Sequence, residues 1–201
     1  MFSAPLKKRI FVPLLGLAAV GALALLVSHT FDGGRRHSDG WTMLALGKNI
    51  GDANLQLKAD TGCFVSKPLA LFDPAAAAAP ENNFCGLTFG NTWARPYLRA
   101  YPTTPAGDLV MDRIAPGVTA HLPPPETVDG WERFDIEFRQ VPAEVIRQAL
   151  LECTGTDQPP ALPGRAEDDR CLTTANLDDG QPGNFRVRYF ARELTPVAAA
   201  I

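Results

Sequence analysis

Hydrophobic and polar positions divide this chain into two unlike parts. From Ile10 to Val27 the sequence IFVPLLGLAAVGALALLV runs for 18 residues without a charge. As a helix it would span roughly 27 Å, against a bilayer hydrocarbon core of ~30 Å. A buried helix of a water-soluble protein carries a polar face over five turns, and this stretch has none. Pro13 falls in the first turn, where a missing N–H costs little. Gly16 and Gly21 are ordinary residues of membrane spans. The pattern predicts a transmembrane signal-anchor helix over residues 10–30, after a basic segment at 1–9 and before a polar, glycine-rich linker at 31–40.

The apolar run is longer than a secretory h-region, and its one A-x-A, Ala22-Leu23-Ala24, lies inside it instead of after it. An uncleaved anchor is therefore expected. Lys7, Lys8 and Arg9 abut the span, whereas Arg35 and Arg36 lie further out on the other side. That bias places the N-terminus in the cytoplasm and the rest of the chain outside, as in a bacterial inner membrane with a periplasmic domain. Ala18 and Ala22 share one helical face and would let a second span approach closely.

Beyond the linker, residues 41–201 read as one α+β domain, with a sub-boundary near 123–130. Trp41 to Leu46 reads as a strand or short helix ended by Gly47. Leu55 to Ala59 alternates with period two and predicts a strand, followed by a turn at Asp60-Thr61-Gly62 and a short strand at Cys63-Phe64-Val65. Five alanines between Pro74 and Pro80 are too few for an isolated helix, so a loop or a single exposed turn is expected. Phe84 to Phe89 reads as a strand. Trp93, Tyr97 and Tyr101 recur every fourth residue, predicting a short helix over 93–100 with its aromatics on one face. Leu109 to Met111 and Val118 to Leu122 read as strands, and Pro123-Pro124-Pro125 as a stiff extended segment.

The clearest pattern begins at Trp131. Phe134, Ile136 and Phe138 alternate with Arg133, Asp135, Glu137 and Arg139, the signature of a half-buried strand. Pro142 then opens a helix that carries Ile146, Ala149, Leu150 and Cys153 on one stripe, with Gly155 just past its end. After a loop holding Cys171, Phe185, Val187 and Tyr189 alternate with Arg186 and Arg188. The C-terminal unit is thus strand–helix–strand, and Arg186 and Arg188 could meet Asp135 and Glu137 across neighbouring strands.

Four cysteines, all beyond the anchor, predict two disulfides in an oxidising compartment. Three pairings are possible; the sequential one, Cys63–Cys85 and Cys153–Cys171, is preferred, since it closes loops of about twenty residues worth ~3 kcal/mol each. With no C-x-x-C and no nearby histidine, neither zinc nor a redox motif has its spacing. The net charge is −3, and residues 1–36 contribute five basic side chains against Asp32. The remainder is acidic and has no electrostatic footprint for nucleic acid.

Candidate chemistry is thin. Asp60-Thr61-Gly62 resembles the active-site string of aspartic proteases, which lies in a loop after a strand. Only one copy is present, so catalysis would need a symmetric dimer. Ordinary turn chemistry accounts for the same three residues. His121 reads as structural. The acidic groups at Glu167-Asp168-Asp169 and Asp178-Asp179 lack the ordered ligands of a calcium loop. No cofactor or metal is implied. The expected function is non-catalytic: a scaffold or accessory subunit of a membrane or envelope complex, partnered by the lipid bilayer and by other membrane or envelope proteins. The alternatives are a ligand-binding or sensor domain using Trp93, Tyr97 and Tyr101, or an aspartic-type hydrolase using Asp60.

Overall fold

A computed structural model describes residues 39–128, 130–155 and 170–192. The expected span at 10–30 with Ala18 and Ala22, the basic segment before it, the linker up to residue 38, and Glu167-Asp168-Asp169 lie outside the described residues. No described helix is long and apolar enough to cross a membrane.

A helix, α1, occupies residues 39–61. It replaces both the expected strand at Leu55 to Ala59 and the element ended by Gly47, and it takes in Asp39 and Gly40 from the expected linker. Met43, Leu46, Ile50, Ala53 and Leu57 are its buried residues, spaced three and four apart as a helix facing a core requires. Its glycines are close-approach positions, not breaks. A Cβ on Gly51 would lie 2.5 Å from Cζ of Tyr189, and one on Gly47 would lie 3.3 Å from Phe138 and Val187. The helix thus rests directly on the sheet, and the packing outweighs the ~1 kcal/mol propensity cost of each glycine. It ends at Gly62 (φ 82°), whose N–H bonds the Lys58 carbonyl at 2.7 Å.

The next segment is far less regular than its sequence suggested. Val65 makes only an isolated bridge to Asn83. The expected strand at Phe84 to Phe89 does not form, because Asn83 captures the backbone: its side chain accepts from Cys85 and Leu87 N–H and donates to the Leu87 carbonyl. The alanine run does form a short helix, α2, at Pro74–Ala78. Asp73 caps it through the Ala75 and Ala76 amides, and Ala76 and Ala77 are buried. The expected helix over 93–100 is absent. Pro96 disfavours helical geometry at Arg95, and the Tyr97 and Leu98 amides bond instead to the Leu71 carbonyl.

The second half builds one antiparallel sheet from β1 (Leu109–Val110), β2 (Thr119–His121), β3 (Glu126–Val128), β4 (Trp131–Val141), β5 (Cys171–Thr173) and β6 (Gly183–Arg192). The order is β1-β2-β4-β6-β5, with β3 also against β4. Helix α3 (Ala143–Thr154) follows β4 and ends at Gly155 in the left-handed region, as expected. Strand β6 lies between β4 and β5, so the crossover through α3 joins two parallel strands with an antiparallel one inserted. The short strands β3 and β5 carried too few residues to show a period. A bulge between Phe138 and Val141, with Gln140 at φ 59°, turns β4 into α3.

Helices α1 and α3 cover one face of the sheet, meeting each other where Gly40 faces Gln148. Phe134, Ile136 and Phe138 of β4 and Phe185 and Val187 of β6 are buried beneath them, each large side chain contributing ~1.5–3 kcal/mol. Phe64, Phe134 and Tyr189 make an aromatic row with centroid spacings of 4.7 and 5.3 Å. Lys58, itself buried, stands over the Phe64 ring and pairs with Glu132. Both expected disulfides are present, Cys63–Cys85 and Cys153–Cys171, the second tying α3 to β5. The architecture is α+β, strand-rich only in its C-terminal half.

Candidate functional site

Charged side chains gather on the sheet face opposite the helices. Alternation along β4 sends Arg133, Asp135, Glu137 and Arg139 to this face. The register places Asp135 opposite Arg188 and Glu137 opposite Arg186. The expected cross-strand pairs form: Arg188 Nε donates to Asp135 Oδ1 at 3.0 Å, and Arg186 Nη2 to Glu137 Oε1 at 2.8 Å. Arg139 approaches Glu137 from the other side, with Nε 2.8 Å from Oε2, and its Nη1 lies 3.8 Å from Asp108. Asp108 in turn lies 2.8 Å from His121 Nδ1. Acids and bases therefore alternate across the sheet: His121, Asp108, Arg139, Glu137, Arg186, Asp135, Arg188.

This face is not the solvated surface that β4's alternation implied. Asp135 and Glu137 are buried, each held by an arginine of the neighbouring strand. Burial works against the charge of Glu137, but hydrogen bonds from Arg186 and Arg139 outweigh it and hold its pKa below the ordinary value. A depressed folded pKa stabilises the fold above the unfolded glutamate value of ~4.3, and that stabilisation disappears as pH falls through the folded value. Glu137→Gln is accordingly expected to melt below wild type at neutral pH. The gap should close as thermal melts are repeated below about pH 4, and a gap independent of pH would sink this account.

The expected aromatic strip is dispersed. Trp93 turns inward and donates its indole N–H to the Ala70 carbonyl at 3.1 Å, with Tyr97 edge-on to it. The Tyr97 hydroxyl donates to Asp60 Oδ2 at 2.8 Å, and burial together with that carboxylate raises its pKa. Tyr101 accepts from Arg99 Nε. Tyr97 and Tyr101, without Trp93, line an open groove of about 330 Å³ against α1, with Asn49, Asp52, Gln56 and Arg99 as its polar walls. Asp60 stands at the end of α1, not in the loop after a strand that the protease arrangement uses.

Among the described residues no group of three or more metal-ligating side chains converges. Asp178 pairs with Arg147 at 3.2 Å. Sequence reasoning missed Asp108 and the role of His121 because a sequence separation of 13 hides a contact made by the pairing of β1 with β2. Arg139 was visible as the next beat of the β4 alternation. No protein-family model matches the chain, and no curated protein or solved structure does.

Proposed function

We propose that this chain is a single-span membrane protein whose extracytoplasmic domain is a non-catalytic scaffold or accessory subunit of a membrane or envelope complex. One observation carries the reading. The charged groups of the sheet are spent on one another, while large apolar side chains stand exposed at the hairpin between β3 and β4. Val128 and Trp131 face each other across that hairpin, and Trp131 is 47% exposed. An interlocked acid–base row gives rigidity, and an exposed aromatic tip suits a protein contact. The two disulfides support an oxidising compartment, and the uncharged run at Ile10–Val27 supports the anchor.

The test is purification of the full chain from its native membrane in mild detergent. Other membrane or envelope proteins are expected to accompany it in fixed ratio, less so for Trp131→Glu. A clean monomer would overturn the reading. The groove beside Tyr97 and Tyr101 favours the second reading, a ligand-binding domain. That reading prevails if a small polar molecule raises the melting temperature of wild type and not of Arg99→Ala.

A further inference from the structure

The proposed anchor leaves open which end of the domain meets the membrane, and the two ends of α1 differ. Gly40 lies against α3, whereas Lys58 pairs with Glu132 at the start of β4. These two contacts are separated by about 27 Å along the helix. The Trp131 hairpin therefore belongs to the far end of α1. At the near end Trp41 is 60% exposed, the most exposed large apolar residue of the described domain. Leu44, Ala45 and Lys48 follow it at helical spacing, and all four line one groove of about 360 Å³ with Glu152 of α3. Leu151, beside Glu152, is exposed as well.

We infer that this near end sits on the phospholipid surface, with Trp41 in the headgroup layer. The inference rests on the anchor reading. Only residues 28–38 separate the uncharged run from Asp39, the first described residue of α1, and 11 residues reach at most ~40 Å. The described N-terminal end of α1 is the part of the domain held closest to the bilayer by that tether. Indole is favoured at the membrane interface because its ring is apolar and its N–H still finds a partner there. Lys48, two turns further along the same stripe, is paired with Asp52 on the surface of α1, so the seat rests on Trp41 and its apolar neighbours Leu44 and Ala45. Seating this end directs the Trp131 hairpin away from the membrane, toward the extracytoplasmic parts of its membrane or envelope partners.

The experiment reconstitutes the full chain in phosphatidylcholine vesicles whose acyl chains are brominated near the headgroup, which quenches nearby indoles. Wild type is expected to lose emission relative to unbrominated vesicles, and Trp41→Phe to lose that quenching while Trp131→Phe keeps it. Trp41 is exposed, so its replacement leaves the core intact. Flotation of the same samples separates the two ideas. Protein that floats with the vesicles but shows no Trp41-dependent quenching overturns the seating and leaves the anchor standing. A Trp41 emission that is blue-shifted yet unquenched assigns the patch to a protein contact and also overturns it. Protein that fails to float removes the anchor reading and this inference together.

Discussion

Replacing Cys153 and Cys171 together by alanine is expected to lower unfolding stability by about 3 kcal/mol, with β5 the first element to open. The cross-link closes a loop of sequence separation 18, which sets the chain-entropy estimate. The structural consequence follows from how little else holds β5. It has three residues, pairs among the described residues with Phe185 to Val187, and buries Cys171 completely. Without the bond, that edge depends on a few ladder hydrogen bonds. Urea titration measures the global loss, and amide exchange at Leu172, which lies opposite Arg186, measures the local one. Unchanged exchange at that amide would show that pairing with β6 alone suffices. Removing Cys63 and Cys85 should cost a similar amount in entropy but open less locally. Its loop is also held by Asn82, which accepts from Ser66 and Lys67, and by the Phe84 amide on the Phe64 carbonyl.

What could be read from sequence follows from which signals are local. The alternation over Arg133 to Arg139 and over Phe185 to Tyr189 is a period-two signal seven and five residues long, and both strands formed in the register that pairs their charges. The helix opened by Pro142 and closed by Gly155 carried start and stop signals of its own. Of the three possible cysteine pairings, the sequential one, preferred for its short loops, is the one present. By contrast, α1 was missed because Gly47 and Gly51 are poor helix residues by propensity. Only the rings of Phe138 and Tyr189, contributed from 90 or more residues away, explain why those positions must be small. The Leu55 to Ala59 alternation was accidental: Leu57 and Lys58 are both buried, which a helix end permits and a half-exposed strand does not.

The acid–base row was legible in part for the same reason. Its two central pairs come from a register that the strand patterns imply, while Asp108 and His121 reach it through β1 and β2, strands of two and three residues. Burial was not legible at all. Nothing in the alternation of Arg133 to Arg139 distinguishes a charged face in water from one whose carboxylates are buried. The distinction matters energetically, since exposed pairs contribute ~0–1 kcal/mol and buried ones depend on every partner being present.

Arg188→Met should therefore be among the most damaging single substitutions in the domain, at about 3 kcal/mol. The Arg188 side chain is 9% exposed and that of Asp135 11%, and Nε and Nη2 of Arg188 reach both carboxylate oxygens. Methionine keeps most of the stem and removes the charge, so the loss reports the buried carboxylate left behind. The nearest remaining cation given to Asp135 is Arg186 Nη1, at 4.0 Å, already committed to Glu137. The double variant Asp135→Leu, Arg188→Met removes both charges and is expected to recover much of the stability, because a well-packed apolar pair of similar volume matches a buried ion pair. Urea unfolding of wild type, both single variants and the double variant closes the cycle. A loss within about 0.5 kcal/mol for Arg188→Met would place the pair in solvent-like surroundings. An additive double variant would remove the coupling that makes the row a rigid frame for the exposed hairpin, and with it the structural basis for reading this face as scaffold.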